Sequence, residues 1–237
     1  MKILITNDDG FDKFGIAELA KAATKYGEVL VVAPLTEQSG TSHSCNFHKA
    51  RKLNLEKDIV KGIKTYSYDS TPADCVKLAW YYLGYEFDLV LSGVNNGYNV
   101  GEDISYSGTV GAIMECGNFS RPGIAFSVER GHKETVEENL EKALSFVFTN
   151  DLLNKHLYWN INMPSIISKG DRFAKQGNLH YEKIFTDRDG GIYQTGVPHP
   201  ELDKDEKSDI RLAISGYTSY MPLVTNKTAF DVLNKIK

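Results

Sequence analysis

Along the first two thirds of the chain, short apolar runs alternate with stretches in which apolar residues recur every three or four positions. Lys2–Thr6 and Glu28–Pro34 are short and rich in Ile, Leu and Val, the mark of buried strands. Lys64–Asp69, Phe87–Ser92 and Pro122–Val128 read as further strands. Between the first two, Ile16, Leu19, Ala20 and Ala23 share one face of a helix that stops near Gly27. Pro72 fits the first turn of a second helix, which runs through Leu83 with Gly84 as its stop. A third helix runs from about Gly108 to Cys116, and a fourth carries Val136, Leu140, Ala143, Leu144 and Val147. Strands that alternate with helices predict an α/β fold, a doubly wound, mainly parallel sheet covered on both faces.

Beyond about residue 165 the pattern changes. Leu179–Phe185 and Gly191–Gly196 flank Asp187-Arg188-Asp189-Gly190 and read as a β-hairpin. A charged loop (Glu201–Arg211) and a short strand follow, then a last helix over residues 226–237 with Ala229, Val232, Leu233 and Ile236 on one stripe. This tail has few means of building its own core. The chain therefore divides into a core of residues 1–165 and an extension of residues 166–237 that docks or swaps between subunits.

Composition narrows the function. Hydrophobic residues make up 41% and charged residues 24% of the 237, which excludes disorder. Lys+Arg 27 against Asp+Glu 31 leaves a net charge of −4, no footprint for a nucleic-acid polymer or an anionic membrane. No apolar run approaches the roughly 18 residues that span a bilayer, and Asp8 and Asp9 interrupt any signal-like start. Cys45, Cys75 and Cys116 are too dispersed for a disulfide framework or a zinc site. The expectation is a soluble cytoplasmic protein with a small-molecule partner.

In an open parallel sheet, ligands bind beyond the carboxyl ends of the strands. Four segments there carry polar residues. Asn7-Asp8-Asp9-Gly10 offers two carboxylates on a turn that Gly10 permits, suited to a hard cation such as Mg²⁺ or Mn²⁺ or to a solvated acidic turn. The hydroxyl-rich run Pro34–Ser44, with Gly40 at its centre, offers neutral oxygens and backbone N–H groups for an anion, or is an ordinary Ser/Thr turn. Within it His43 is placed to donate a proton or to brace the loop. Ser92–Asp103, dense in Gly and Asn, suggests close backbone approach to a ligand and amide oxygens for a cation. Tyr106-Ser107-Gly108-Thr109 opens a helix, a phosphate site or a plain cap. No lysine follows that glycine, so it is not a Walker A loop.

Taken in order, these blocks resemble the SurE family, the stationary-phase survival proteins known as metal-dependent nucleotidases. The resemblance rests on Ile5–Gly10, Ala33-Pro34 with Gln38-Ser39-Gly40 and His43-Ser44, Thr71–Val76, and a long block from Asp88 to Val110 continued by Arg121–Ala125. It covers roughly residues 1–130. Ser70 stands where that family usually has glycine, and the hairpin and Tyr220-Met221-Pro222-Leu223 follow its pattern loosely. The resemblance implies a Rossmann-like core and a C-terminal extension used in homodimer or homotetramer assembly. It also implies one divalent cation per subunit, held by the positions that here are Asp8, Asp9, Ser39 and Asn95. The implied activity is hydrolysis of nucleoside 5′- or 3′-monophosphates, sometimes with exopolyphosphatase activity.

On that basis water attacks in line, with Asp8 or Asp9 orienting it or taking its proton. Gly40, Thr41, Asn96, Ser107, Gly108 and Thr109 hold the phosphoryl oxygens. The general acid is left open between His43 and a water. A receiver-like regulatory module without turnover is the alternative, but no aspartate ends the strand Phe87–Leu91 and the strand end Ser127-Val128-Glu129 supplies no lysine. A dinucleotide-binding oxidoreductase lacks its Gly-x-Gly-x-x-Gly after the first strand.

Overall fold

Ile3, Leu4 and Ile5 expose no surface to solvent, because the first strand, β1 (Lys2–Thr6), lies in the middle of a sheet and is covered on both faces. The computed structural model describes residues 1–236. Lys237, the final residue of the expected C-terminal helix and extension, lies outside the described residues. On one side β1 pairs with β2 (Glu28–Pro34), beyond which come β3 (Leu53–Leu55) and β4 (Thr65–Tyr68). On the other side it pairs with β5 (Leu89–Asn96), followed by β6 (Gly123–Val128) and β7 (Tyr158–Met163). All of these pairings are parallel except that of β3 with β4. The expected α/β class is therefore present.

Helices α1 (Phe14–Ala23), α2 (Pro72–Tyr81), α3 (Gly108–Glu115) and α4 (Val136–Thr149) cover the sheet. Ile16 and Leu19 of α1 and Leu140 and Leu144 of α4 pack with Ile3, Ile5 and Leu91 on one face. Val76 and Ala79 of α2 and Ala112 of α3 pack with Leu4, Val32 and Val90 on the other. Alternate residues of β1 and β5 thus face opposite helix layers, as strand geometry requires. A short α5 (Leu152–Lys155) leads into β7.

Residues beyond 165 extend this sheet as well as leaving it. They supply β8 (Asp171–Phe173), a hairpin built from β9 (His180–Glu182), β10 (Phe185–Arg188), β11 (Gly191–Gln194) and β12 (Val197–His199), then α6 (Asp209–Ile214), β13 (Thr218–Pro222) and α7 (Phe230–Leu233). Strand β13 pairs antiparallel with β7 and parallel with β8, completing the order β3-β4-β2-β1-β5-β6-β7-β13-β8. Only Asp189 and Gly190 form the hairpin's turn, both with positive φ, so Asp187 and Arg188, expected in the turn, belong to the strand. The expected terminal helix is reduced to the single turn α7, because none of its residues finds a surface to pack on. No described helix is long and apolar enough to cross a membrane.

Candidate active site

Strand order reverses at β1, with β2 and β4 on one side and β5, β6 and β7 on the other. Such a switch point opens a crevice at the carboxyl ends of the strands. Here the crevice is a cleft of about 530 Å³ lined by Asp8, Asp9, Ser39, Gly40, Asn95, Asn96 and Ser107, among others. Four sequence-distant loops thereby share one space.

The turn after β1 is built by its own side chains. The Asn7 amide donates to Gly10 O at 2.8 Å and accepts from Gly10 N at 3.3 Å, and Gly10 adopts φ +118°, a region that favours glycine. Gln38 N–H donates to Asp8 O at 2.7 Å, stitching the second loop to the first. Asp8 is 4% exposed and accepts a hydrogen bond from the Thr109 hydroxyl. Burial pushes its carboxyl up to about 6, opposed by the Thr109 hydrogen bond and reinforced by the charge of Asp9. Asp9 is also raised by burial; the Asn96 N–H, Lys13 and Arg130 pull it back down, while Glu37 adds to the rise. Asn96 N–H donates to Asp9 Oδ2 at 3.3 Å.

The chemistry of this donor set fits a hard divalent cation. Among the described residues no three His, Cys, Asp or Glu side chains gather into a metal-holding group, so two carboxylates here need neutral oxygens to complete a shell. Asn95 and Ser39 supply them within the cleft. Asn95 Nδ2 donates to Gly97 O at 2.7 Å, which leaves its Oδ1 as the free end. Ser39 Oγ donates to Glu37 Oε1 at 2.7 Å and keeps lone pairs for a cation.

The expected phosphate donors divide into two groups. Gly40 and Ser107 line the cleft, and Ser107 Oγ caps α3 by accepting from Val110 N at 3.1 Å. Thr41, Gly108 and Thr109 pack behind Asp8 instead. A Cβ on Gly108 would stand 2.9 Å from Asp8 Cβ and 3.0 Å from Thr41 Oγ1, so glycine is needed for this approach. The Thr41 amide and hydroxyl both bond Gln38 O, and the Thr109 hydroxyl holds Asp8.

His43 is not brought to the cleft, which corrects its reading as a candidate general acid. The chain at Ser42–His43 crosses α3 at Gly111, and His43 Nε2 lies 2.8 Å from Glu115 Oε2. Glu115 ends α3, seven residues beyond Gly108, or about 10 Å along a helix axis. Glu115 is only 2% exposed.

Several cleft residues carry no signal in the sequence. Lys13, Phe14, Arg130, His132 and Lys133 line the cleft, but none sits in a motif or at a telling spacing. The Asn99 side chain reaches Ser127 Oγ at 2.9 Å, while Asn160 and Asn162 donate to Asn99 O at 2.7 and 3.0 Å, fixing the loop after β5 to β6 and β7.

A parallel sheet with carboxylate, amide and hydroxyl oxygens gathered at its switch point defines an α/β protein built to bind a small polar ligand there. The chain belongs to the SurE family: the family model described as survival protein SurE matches residues 3–183. It is 36% identical to the 5′-nucleotidase SurE of Clostridium botulinum (strain Eklund 17B / Type B), covering 100% of this chain and 98% of that protein. The 5′-nucleotidase SurE of Acinetobacter baylyi is 33% identical over the same shares. The crystal structure of the SurE protein from Aquifex aeolicus superposes with a TM-score of 0.81 at 33% identity, covering 100% of this chain and 98% of that one.

Proposed function

We propose that this protein is a 5′-nucleotidase that hydrolyses nucleoside 5′-monophosphates to nucleoside and phosphate with the help of one divalent cation, Mg²⁺ or Mn²⁺, per subunit. Full-length similarity to proteins named 5′-nucleotidase supports the activity. The observation that carries it is the meeting of Asp8, Asp9, Asn95 and Ser39 in one cleft. That cleft lies within the size range of small-molecule sites and has room for more than a bare phosphate. 3′-Monophosphates and short polyphosphate fall within the same reading. Three free cysteines suit a reducing compartment, in keeping with the cytoplasm.

In this reading Asp8, Asp9, Asn95 and Ser39 hold the cation. When bound, it supplies charge neutralisation at the phosphoryl oxygens and acidifies a neighbouring water. The residues of the chain do the rest. Asp9, less buried than Asp8, orients the attacking water and takes its proton, while Thr109 keeps Asp8 in place. The backbone N–H of Gly40 and the hydroxyl of Ser107, which both line the cleft, meet the developing charge, helped by the positive end of α3. With His43 tied to Glu115, water protonates the leaving oxygen.

The test is phosphate release from a panel of mononucleotides, polyphosphate and sugar phosphates, with each metal and with chelator. Release from 5′-mononucleotides that stops on chelation and returns with Mg²⁺ or Mn²⁺ is expected. Release unaffected by complete metal removal sinks the proposed mechanism.

A further inference from the structure

The cleft that holds the aspartates also carries basic side chains on its wall. Arg130 and Lys133, from the loop between β6 and α4, line it together with Lys13 and Phe14 at the start of α1. The loop is fixed to the site, since Gly131 N–H donates to Asn96 Oδ1 at 2.8 Å. Arg130 lies against Gly97, its Nε and Nη2 3.8 and 3.9 Å from the point a Cβ on Gly97 would occupy. Lys133 Nζ stands 5.5 Å from the centre of the Phe14 ring, and that side chain is 39% exposed.

Lys13 is paired with Asp12 at 3.0 Å, whereas the arginine ion pairs among the described residues are Arg51–Asp69 and Arg188–Asp189. Arg130 therefore makes no close ion pair among the described residues, although its charge acts on Asp9, and it stands on a wall of the cleft. The phosphoryl group under attack belongs at the aspartate end, and the nucleoside that leaves a monophosphate is neutral. A monophosphate thus brings one anionic group to a cleft in which neither Arg130 nor Lys133 has a close ion pair among the described residues.

We propose that Arg130 and Lys133 form a second anion subsite, which takes a phosphate carried on the sugar of the leaving nucleoside, with the Phe14 ring beside it as an apolar face. The preferred substrate class is then the nucleoside 3′,5′-bisphosphate. This rests on the nucleotidase reading of the same cleft. Water attacks the 5′ phosphorus, the bond from phosphorus to the 5′ oxygen breaks, and that oxygen gains a proton. The products are a nucleoside 3′-monophosphate and inorganic phosphate. Contacts to the second phosphate are equal in ground and transition states, so they act on KM more than on kcat. A guanidinium fork suits such a group.

The experiment compares kcat/KM for adenosine 3′,5′-bisphosphate and 5′-AMP in the metal-loaded wild type and in Arg130→Gln and Lys133→Gln. A wild-type preference of at least tenfold for the bisphosphate is expected, carried by KM and shrinking as salt rises. In Arg130→Gln the bisphosphate value should fall at least tenfold further than the AMP value. Equal wild-type values, or a preference that survives both substitutions, overturn the proposal. Calorimetric titration of chelated protein with the two nucleotides reads the subsite without turnover. Tighter binding of the bisphosphate that depends on Arg130 supports it even if AMP hydrolysis, and with it the nucleotidase reading, fails. Equal binding there overturns it independently.

Discussion

Asp8 meets two opposed demands. Burial pushes its carboxyl up to about 6, yet the Thr109 hydroxyl and the approach of α3 through Gly108 hold it in one position. Two close carboxylates in a partly dry site repel each other and favour a cation. Asp8→Asn and Asp9→Asn preserve shape and each remove one negative charge. If the pair were a solvated turn, each change would move stability by less than about 0.5 kcal/mol and leave activity intact. As cation ligands, they should lose metal affinity and turnover together, with the rate falling at least ~100-fold because neutralisation acts where transition-state charge develops. The metal-free Asn variants should be as stable as the wild type or more so. Asn95→Ala should weaken the ion less, since water replaces an amide dipole. Calorimetric metal titration beside phosphate release decides the matter, and normal affinity in both aspartate variants would put the ion in another loop.

At the scale of elements, the segment that follows β5 is held by parts of the chain far from it. Asp209, at the start of α6, accepts from Gly101 N at 3.0 Å, Gly177 N at 2.8 Å and Ile210 N at 2.9 Å. It is completely buried. Asp209→Ala strands these donors, and an unsatisfied buried donor costs about 1–3 kcal/mol. The expected loss in urea denaturation is about 2–5 kcal/mol, with reduced turnover because the same segment carries the loop onward to Ser107. Stability within about 0.5 kcal/mol of wild type would show that the tether does not hold this segment. Strand β7 teaches a related lesson. Its Asn160 and Asn162 are fully buried, so Tyr158–Met163 lacks the clean apolar run that marks a strand, and the sequence reading assigned it none. The backbone of Asn99, brought in by the fold, meets both amides: its carbonyl accepts from each Nδ2 and its N–H donates to Asn162 Oδ1, while Asn160 Oδ1 finds no partner among the described residues.

At the scale of the whole molecule, two segments beyond residue 165 leave large apolar side chains uncovered. Phe185 and Ile192 on the hairpin are 65% and 75% exposed, and Phe230, Leu233 and Ile236 near the end are 52%, 53% and 69% exposed. Exposed apolar side chains of this size are what an association surface presents. A second copy of the chain related by a two-fold axis is the occupant we expect, as a dimer or a dimer of dimers. Light scattering at micromolar concentration should report more than a monomer, and the double variant Phe185→Asp/Ile192→Asp should shift it toward monomer. A stable, fully active wild-type monomer would refute this assembly.

What the chain determines by itself is local. Apolar runs and 3.6-residue periodicity place β1, β2, α1 and α2, and an Asp-Gly pair places the hairpin's turn, because each depends on neighbours in sequence and on allowed backbone angles. The acidic pair and the Gly/Asn run are legible for the same reason, as residue types that a buried strand end would otherwise avoid. The identity of each residue's partner is a matter of tertiary structure. Asp8 and Thr109 are 101 residues apart and Asp9 and Asn96 are 87 apart, and only the order of strands in the sheet brings them together. The same crossing of the chain over α3 carries His43 to Glu115 and away from the cleft. The tie from Asn96 to Gly131 turns an unremarked surface loop into a wall of the site. Sequence spacing encodes which face a side chain takes, while the distance between two such faces is decided by packing.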